Sequence, residues 1–258
     1  MLLLFVPEGE LMADGVWVVL PTYNEAGNLQ AMLAAIRGAV PAARVLVVDD
    51  RSPDGTGEIA DAAAARDMNV AVLHRADKEG LGAAYRAGFA RVLTEPQTDI
   101  VIQMDCDFSH DPADVARLIG AVESGADLAI GSRYVSGGST PGWTWRRRAV
   151  SRAGSVFART MLQLPVRDLT GGFKAWRRET LGRALKGVPY ASGYGFQIEM
   201  TWKAAKAGAH IVELPITFRD RTVGQSKMTA RIAGEALRMV VDLRLSEARR
   251  RKAGTRIE

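Results

Sequence analysis

The chain has 258 residues, 47% of them hydrophobic and 24% charged, an ordinary globular composition that suits one substantial domain or a small pair. Its single cysteine, Cys106, excludes an internal disulfide and any multi-cysteine metal site, and points to a reducing compartment. The net charge of +5 is uneven: from Arg219 to Glu258 eleven Lys and Arg face five Asp and Glu, so the basicity is a C-terminal property. Such an end suits nucleic acid, anionic lipid or a phosphorylated substrate, or is simply a solvated helix and tail.

The first apolar block, Leu2 to Val6, has no basic residue before it and is too short to span a bilayer, so neither a signal peptide nor a membrane helix is expected there. No later run reaches about 18 apolar residues, which predicts a soluble or peripheral protein. Val16-Trp17-Val18-Val19-Leu20 predicts a strand stopped by Pro21 and followed by the polar run Thr22-Tyr23-Asn24-Glu25. Leu29, Met32, Leu33 and Ile36 then recur at helical spacing along one face. A second strand, Arg44 to Val48, ends in Asp49-Asp50 and the turn Arg51-Ser52-Pro53-Asp54-Gly55-Thr56, before an alanine-rich helix to about Asp67. Val70 to Leu73 predicts a third strand and Gly80 to Leu93 a third helix. Alternating strands and helices argue an α/β fold with a mostly parallel sheet covered on both faces. Ligands of such sheets bind beyond the carboxyl ends of the strands, where Pro21 to Glu25, Asp49-Asp50 and Asp105 to Asp107 should meet.

The last of these carries the most chemistry. Ile100-Val101-Ile102-Gln103-Met104 predicts a buried strand that runs into Asp105-Cys106-Asp107. Two carboxylates one residue apart converge on one cation if the chain bends there, and oxygen ligands suit Mg²⁺ or Mn²⁺. Aspartates also end strands simply because they favour turns and caps. There is no Walker A loop and no Gly-x-Gly-x-x-Gly after the first strand, which disfavours a P-loop NTPase or a dinucleotide dehydrogenase.

Several blocks then occur together: Val19 to Glu25, Val47 to Thr56, Asp105-Cys106-Asp107-Phe108-Ser109-His110, and Gly131-Ser132-Arg133-Tyr134. In this order and spacing they resemble an inverting family 2 glycosyltransferase of the GT-A (Rossmann-like) fold. Two later blocks, Asp168-Leu169-Thr170-Gly171-Gly172-Phe173-Lys174 and Arg219 to Met228, make the chain similar to the dolichol/polyprenol-phosphate mannosyltransferases. Those enzymes move mannose from GDP-mannose to a polyprenyl phosphate. The resemblance runs over residues 16–232.

By position, the resemblance implies a GDP-mannose site of Pro21, Tyr23, Glu25, Val48, Asp50, Asp105, Cys106, Asp107 and Arg133. It implies Asp105, Asp107 and Ser109 as ligands of Mg²⁺ or Mn²⁺, with Cys106 and Ser109 standing where many relatives have Ala and Gln. Asp107, Arg133 and Arg221 are the expected catalytic residues, and Arg148, Arg221, Ser226 and Lys227 the expected acceptor-phosphate residues. Guanidinium suits phosphate because it binds bidentately and keeps its charge. The acceptor phosphate is already an anion, so in-line attack with inversion needs no protein nucleophile. His110 is expected to cap the helix that begins near Pro112 rather than to touch a ligand.

Residues 1–15 are expected to be an N-terminal extension, 16–224 the GT-A domain, and 225–258 an amphipathic basic helix and tail. Met228, Ile232, Ala236, Met239 and Leu243 form an apolar stripe along that helix, and Arg249 to Lys252 are four consecutive cations. The stripe either lies in a headgroup layer or packs on the domain. With a polyprenyl substrate the first reading predicts a cytoplasmic protein peripheral on the cytoplasmic membrane face, held there with the help of a membrane-embedded partner subunit and without nucleic acid. Polyprenyl-phosphate glucose synthesis from UDP-glucose, a nucleotidyltransferase and a non-catalytic nucleotide-sugar-binding module stay open as alternatives.

Overall fold

The computed structural model describes residues 15–187, 195–220 and 230–252. The described residues form one seven-stranded sheet in the order β3-β2-β1-β4-β6-β5-β7. Its strands are β1 (Val16–Thr22), β2 (Arg44–Asp49), β3 (Val70–His74), β4 (Ile100–Gln103), β5 (Leu128–Ser132), β6 (Lys174–Arg177) and β7 (Ile211–Pro215). All neighbours are parallel except β6, which runs against both β4 and β5. The helices are α1 (Leu29–Ala39), α2 (Thr56–Ala64), α3 (Leu81–Leu93), α4 (Asp114–Glu123), α5 (Trp145–Leu162), α6 (Arg178–Leu185), α7 (Gly195–Lys206) and α8 (Ala230–Lys252).

Side-chain alternation along β1 divides the core. Val16, Val18 and Leu20 face one side with α1 and α4, while Trp17 and Val19 face the other with α3 and α7. The predicted face of α1, Leu29, Met32, Leu33 and Ile36, is buried throughout. On the opposite side α3 approaches the sheet closely at Gly88, where a methyl group would lie 2.5 Å from Val19 Cγ1 and 2.9 Å from Val48 Cγ2.

Two features differ from expectation. Pro21 does not stop β1, which pairs with β2 as far as Thr22↔Asp49. Val19 presents its backbone to β4, accepting from Met104 N, so Pro21, two residues on, points its missing N–H the same way. There β4 has already ended at the Val19↔Gln103 pair, and no ladder bond is lost. The second feature is α8. Met239 and Leu243, two members of its apolar stripe, are buried with Val240 in the core, while Leu237, Val241 and Leu245 are exposed. Lys206 of α7 pairs with the buried Glu247, and Arg244 donates to Gln163 just after α5. The described part of that stripe therefore packs on the domain, and a different line of the helix faces outward. Met228 lies outside the described residues.

Replacing Gly88 with Ala should force α3 off the sheet. An overpacked core contact costs about 1–3 kcal/mol, and the expected outcome is a fall in melting temperature of about 2–10 °C in a thermal scan.

Candidate active site

The ends of β1, β2 and β4 meet at one rim, as the parallel order requires. The β1 and β2 loops are laced together by backbone donors and short polar side chains. Asn24 N donates to Ser52 Oγ at 3.1 Å, Glu25 N to Thr56 Oγ1 at 2.9 Å and Ala26 N to Asp54 Oδ2 at 3.1 Å. Beneath them Thr22 Oγ1 donates to Asp49 Oδ1 at 3.1 Å. Each of the three rim loops holds one non-glycine residue in the left-handed region, Asn24 (φ 59°), Arg51 (φ 56°) and Phe108 (φ 58°).

The turn at Phe108 is the bend that the acidic motif needs. Asp105 is half-buried, and Tyr85 donates to its Oδ1 at 2.8 Å from α3. Asp107 is 5% exposed, and its Oδ1 accepts from Ser109 N at 3.0 Å and from Ser109 Oγ at 2.6 Å. Ser109 thus orients Asp107, using its hydroxyl proton on the carboxylate and keeping its oxygen lone pairs. Cys106 is buried in the core and burial pushes its thiol well up, so its side chain does not reach the crevice. His110 is buried too, stacked on Phe173 with its Nδ1 facing Asp105 N at 3.4 Å. Burial lowers its pKa and favours the neutral ring. The helix start is capped by Asp111, whose Oδ1 accepts from Ala113 N, and not by His110.

Among the other expected nucleotide residues, Tyr23 lies under Lys78 Nζ at 3.5 Å from the ring centroid, and Glu25 Oε2 accepts from Asn28 Nδ2 at 2.8 Å. Asp50 is paired with Arg75 at 2.5 Å; burial raises its pKa against the pull of that arginine. Val48 corrects its expectation: its side chain is fully buried against α3, because alternation along β2 turns it into the core. Pro21 is likewise buried at the sheet end.

The Arg133 guanidinium meets Asp168 side on, Nε to Oδ2 at 2.7 Å and Nη2 to Oδ1 at 2.6 Å, and Nη2 reaches Thr170 Oγ1 at 2.7 Å. Tyr134, Trp143 and Phe218 surround its Cζ. Burial opposes both charges, yet the pair outweighs it, holding Arg133 above and Asp168 below their ordinary values. Two guanidinium nitrogens of Arg133 are thus engaged by Asp168 and Thr170, contacts that hold the wall of the crevice. Arg148 donates to Thr140 Oγ1 and to the carbonyls of Thr140 and Trp143, bracing the loop before α5. Arg147 and Trp143 Nε1 both hold Asp220, while Arg219 N donates to Ser109 O at 3.2 Å. The chain leading to Arg221 is therefore pinned between the acidic motif and the start of α5. Arg221, Ser226 and Lys227 themselves lie outside the described residues.

Behind the acidic motif runs a buried polar chain that no local pattern announces. Trp176 Nε1 donates to Gln103 Oε1, Gln103 Nε2 to Gln197 Oε1, and Lys174 Nζ to Gln197 O and Oε1. Gln103 and Gln197 are 94 residues apart, and Lys174 sits in a motif read only as a block.

The glycosyl transferase family 2 model matches residues 17–184. Undecaprenyl-phosphate mannosyltransferase of Micrococcus luteus is 49% identical over 222 residues, 86% of this chain and 90% of that protein. Polyprenol monophosphomannose synthase of Mycolicibacterium smegmatis is 45% identical over 226 residues, 87% of this chain and 85% of that protein. Among solved structures, glucosyl-3-phosphoglycerate synthase from Mycobacterium tuberculosis, in complex with Mn²⁺ and uridine-diphosphate-glucose, matches with a TM-score of 0.64 at 22% identity. It covers 90% of this chain and 78% of that one, and bears out the GT-A architecture.

Lys174 gives the buried chain a measurable signature. Burial pulls its pKa down to about 7, whereas an unfolded lysine titrates near 10.4. Between those values the unfolded state binds the extra proton, so this group makes stability rise with pH from about 7 upward. Urea titrations of the wild type and Lys174→Met at pH 6.5, 7.5 and 8.5 should show the difference between them changing in the wild type's favour as pH rises.

Proposed function

This chain belongs to glycosyl transferase family 2, and from that membership and the shape of its crevice we propose that it transfers mannose from GDP-mannose to a polyprenyl phosphate. The observation that carries the reading is the pair Asp105 and Asp107, oriented by Tyr85 and Ser109 at the meeting point of three strand ends. Its support is that two relatives of 45–49% identity, matched over 85–90% of their own length, are named as a polyprenol monophosphomannose synthase and an undecaprenyl-phosphate mannosyltransferase.

The donor set fits a hard divalent cation. Its groups are carboxylate oxygens, while the Cys106 thiol and the His110 ring beside them are buried in packing. Among the described residues no group of three His, Cys, Asp or Glu could hold a metal, so Asp105 and Asp107 would hold Mg²⁺ or Mn²⁺ in a shell completed by water and diphosphate oxygens. The bound cation would offset the charge that develops on the departing diphosphate. Tyr85 and Ser109 keep the two carboxylates turned to that task. Tyr23, Glu25 and Asp50 stand on the rim where base and ribose would lie, and Arg221, Ser226 and Lys227, outside the described residues, are the residues that the family resemblance proposes for the acceptor phosphate. The acceptor phosphate, an anion already, attacks the anomeric carbon as GDP leaves, with inversion and no proton to remove.

The reading also asks how the chain meets a lipid. Among the described residues no helix is long and apolar enough to cross a membrane. The exposed apolar residues include Trp145, Val150 and Val156 on α5 and Leu237, Val241 and Leu245 on α8. Arginines 146–148 and 152 of α5 and Arg238 of α8 lie in the same helices. An apolar line with basic neighbours suits the headgroup layer, and α5 begins beside the loop that leads to Arg221. A separate membrane-embedded subunit would add a second attachment.

Radiolabelled GDP-mannose, UDP-glucose and GTP plus mannose 1-phosphate, each supplied with polyprenyl phosphate and Mn²⁺ and scored by lipid extraction, test the transfer. Label should enter lipid from GDP-mannose alone; full transfer in EDTA would sink the metal assignment, and Asp107→Ala should lose at least about a hundredfold in rate, a few kcal/mol of charge stabilisation. For the membrane, anionic vesicles should pellet the wild-type chain at low salt and release it at high salt. The triple change Leu237→Ser, Val241→Ser and Leu245→Ser should weaken that binding and leave GDP binding intact, and equal pelleting would refute the outward line of α8 as the contact.

A further inference from the structure

Beyond β7 the chain continues strand-like, bridging to Ser139 at Thr217, and consecutive N–H groups of such a chain point to opposite sides. Phe218 N donates to Ser139 O at 2.9 Å on one side, and Arg219 N to Ser109 O at 3.2 Å on the other. Residues 216–220 are therefore a strap between two loops, the acidic turn and the loop that runs from β5 to α5.

Three successive residues of the acidic turn touch the strap. Ser109 O accepts from Arg219 N, the His110 ring meets Phe218 edge on at 5.5 Å, and Asp111 lies 3.3 Å from the Arg219 guanidinium. On the far side Trp143 meets Phe218 edge on at 5.6 Å, its Nε1 donates to Asp220 Oδ1 at 3.0 Å, and Arg147 pairs with the same carboxylate. The two ion pairs, Arg219 with Asp111 and Arg147 with Asp220, have all four side chains between 42% and 59% exposed, and pairs of that kind fasten little. The Trp143 bond is of another kind. Its residue is 8% exposed, the indole N–H is a donor and nothing else, and the acceptor carries charge.

What the strap holds at its other edge is the support of Asp107. Ser109 gives its N–H and its hydroxyl to Asp107 Oδ1, at 3.0 and 2.6 Å, and its carbonyl to the strap. Where the strap sits therefore decides where those two donors sit.

We infer that Trp143 and Asp220 are positioning residues for the metal site. Their hydrogen bond seats the strap, the strap seats Ser109, and Ser109 turns Asp107 to the cation. Both act through Ser109, and neither is itself a ligand. The inference rests on the reading of Asp107 as a ligand of Mg²⁺ or Mn²⁺, which the Mn²⁺ dependence of GDP binding by the wild type tests by itself.

The test titrates Mn²⁺ into the full chain with saturating GDP and follows the free ion by electron paramagnetic resonance, at a temperature where circular dichroism shows each variant folded. Trp143→Phe keeps a ring against Phe218 and removes only the donor, whereas Asp220→Ala removes the acceptor. Both should bind Mn²⁺ about five- to tenfold more weakly, the low end of what residues that orient a metal ligand contribute. Asp220→Asn keeps an oxygen for Trp143 and should recover most of the affinity, and Arg147→Ala, which removes only the exposed pair, should stay within about twofold of wild type. Ser109→Ala should bind more weakly too, and Asp220→Ala should cost less in that background than alone, because the two changes act on one route. A role confined to fold stability would lower the melting temperature of Trp143→Phe and leave its Mn²⁺ affinity at the wild-type value. That result, or losses from Ser109→Ala and Asp220→Ala that multiply in full, would overturn the assignment. A wild type whose GDP binding ignores Mn²⁺ would sink the metal reading, and the inference with it.

Discussion

The crevice depends on a buried ion pair. Arg133 leaves the end of β5, Asp168 lies in the loop that enters β6, and their two-pronged contact joins segments 35 residues apart. Asp168 is itself placed by Glu213 of β7, which accepts from the backbone N–H groups of Arg167 and Asp168. Three elements at one end of the sheet are thus fastened through two carboxylates and one guanidinium. The loop so fastened carries Thr170, Gly171 and Gly172 to the side of Asp105. Taking one partner away would strand the other charge in a dry site, a loss on the order of 3–5 kcal/mol, and would release the wall as well.

The reversed strand explains why that loop is where it is. Active sites of parallel sheets draw on the ends where strands exit. Because β6 runs against β4, with Gln103 opposite Lys174, its entrance stands at the exit of β4. The glycines that precede β6 therefore reach the rim that the parallel strands build, and Lys174, its first residue, is delivered to the glutamines behind the acidic motif. A sheet with seven parallel strands would leave that position to a crossover helix.

Much of this was legible in the residues themselves. The apolar runs and the 3–4 spacing of Leu29, Met32, Leu33 and Ile36 locate the first half of the domain, since burial on one face is all that such patterns encode. The acidic ends of three strands follow from the same alternation. What could not be read has physical reasons. β6 is four residues long and contains Lys174 and Arg177, so it lacks any alternation; its lysine is buried only because Gln197, far along the chain, supplies two oxygens. The motif around Arg133 does not show which carboxylate of the chain lies against it; Asp168, 35 residues on, is found only in the fold. In α8 the periodicity marks an apolar stripe without saying what covers it, and Met239 and Leu243 went to the core, while Leu237, Val241 and Leu245 did not.

Asn24, Arg51 and Phe108 bear on how the rim meets its ligand. A left-handed backbone is unfavourable for side chains such as those of Arg51 and Phe108, by roughly 1–2 kcal/mol per residue, and persists where the neighbourhood over-determines it. Here the lacing of Asn24 and Glu25 to the β2 turn and the grip of Asp107 on Ser109 supply that determination. The conformational freedom of the rim has been surrendered during folding, so little of it is left to lose when a ligand arrives. Association with such a surface resembles closing on a die already cut: less of the interaction energy goes into ordering loops, and more is expressed as affinity and discrimination.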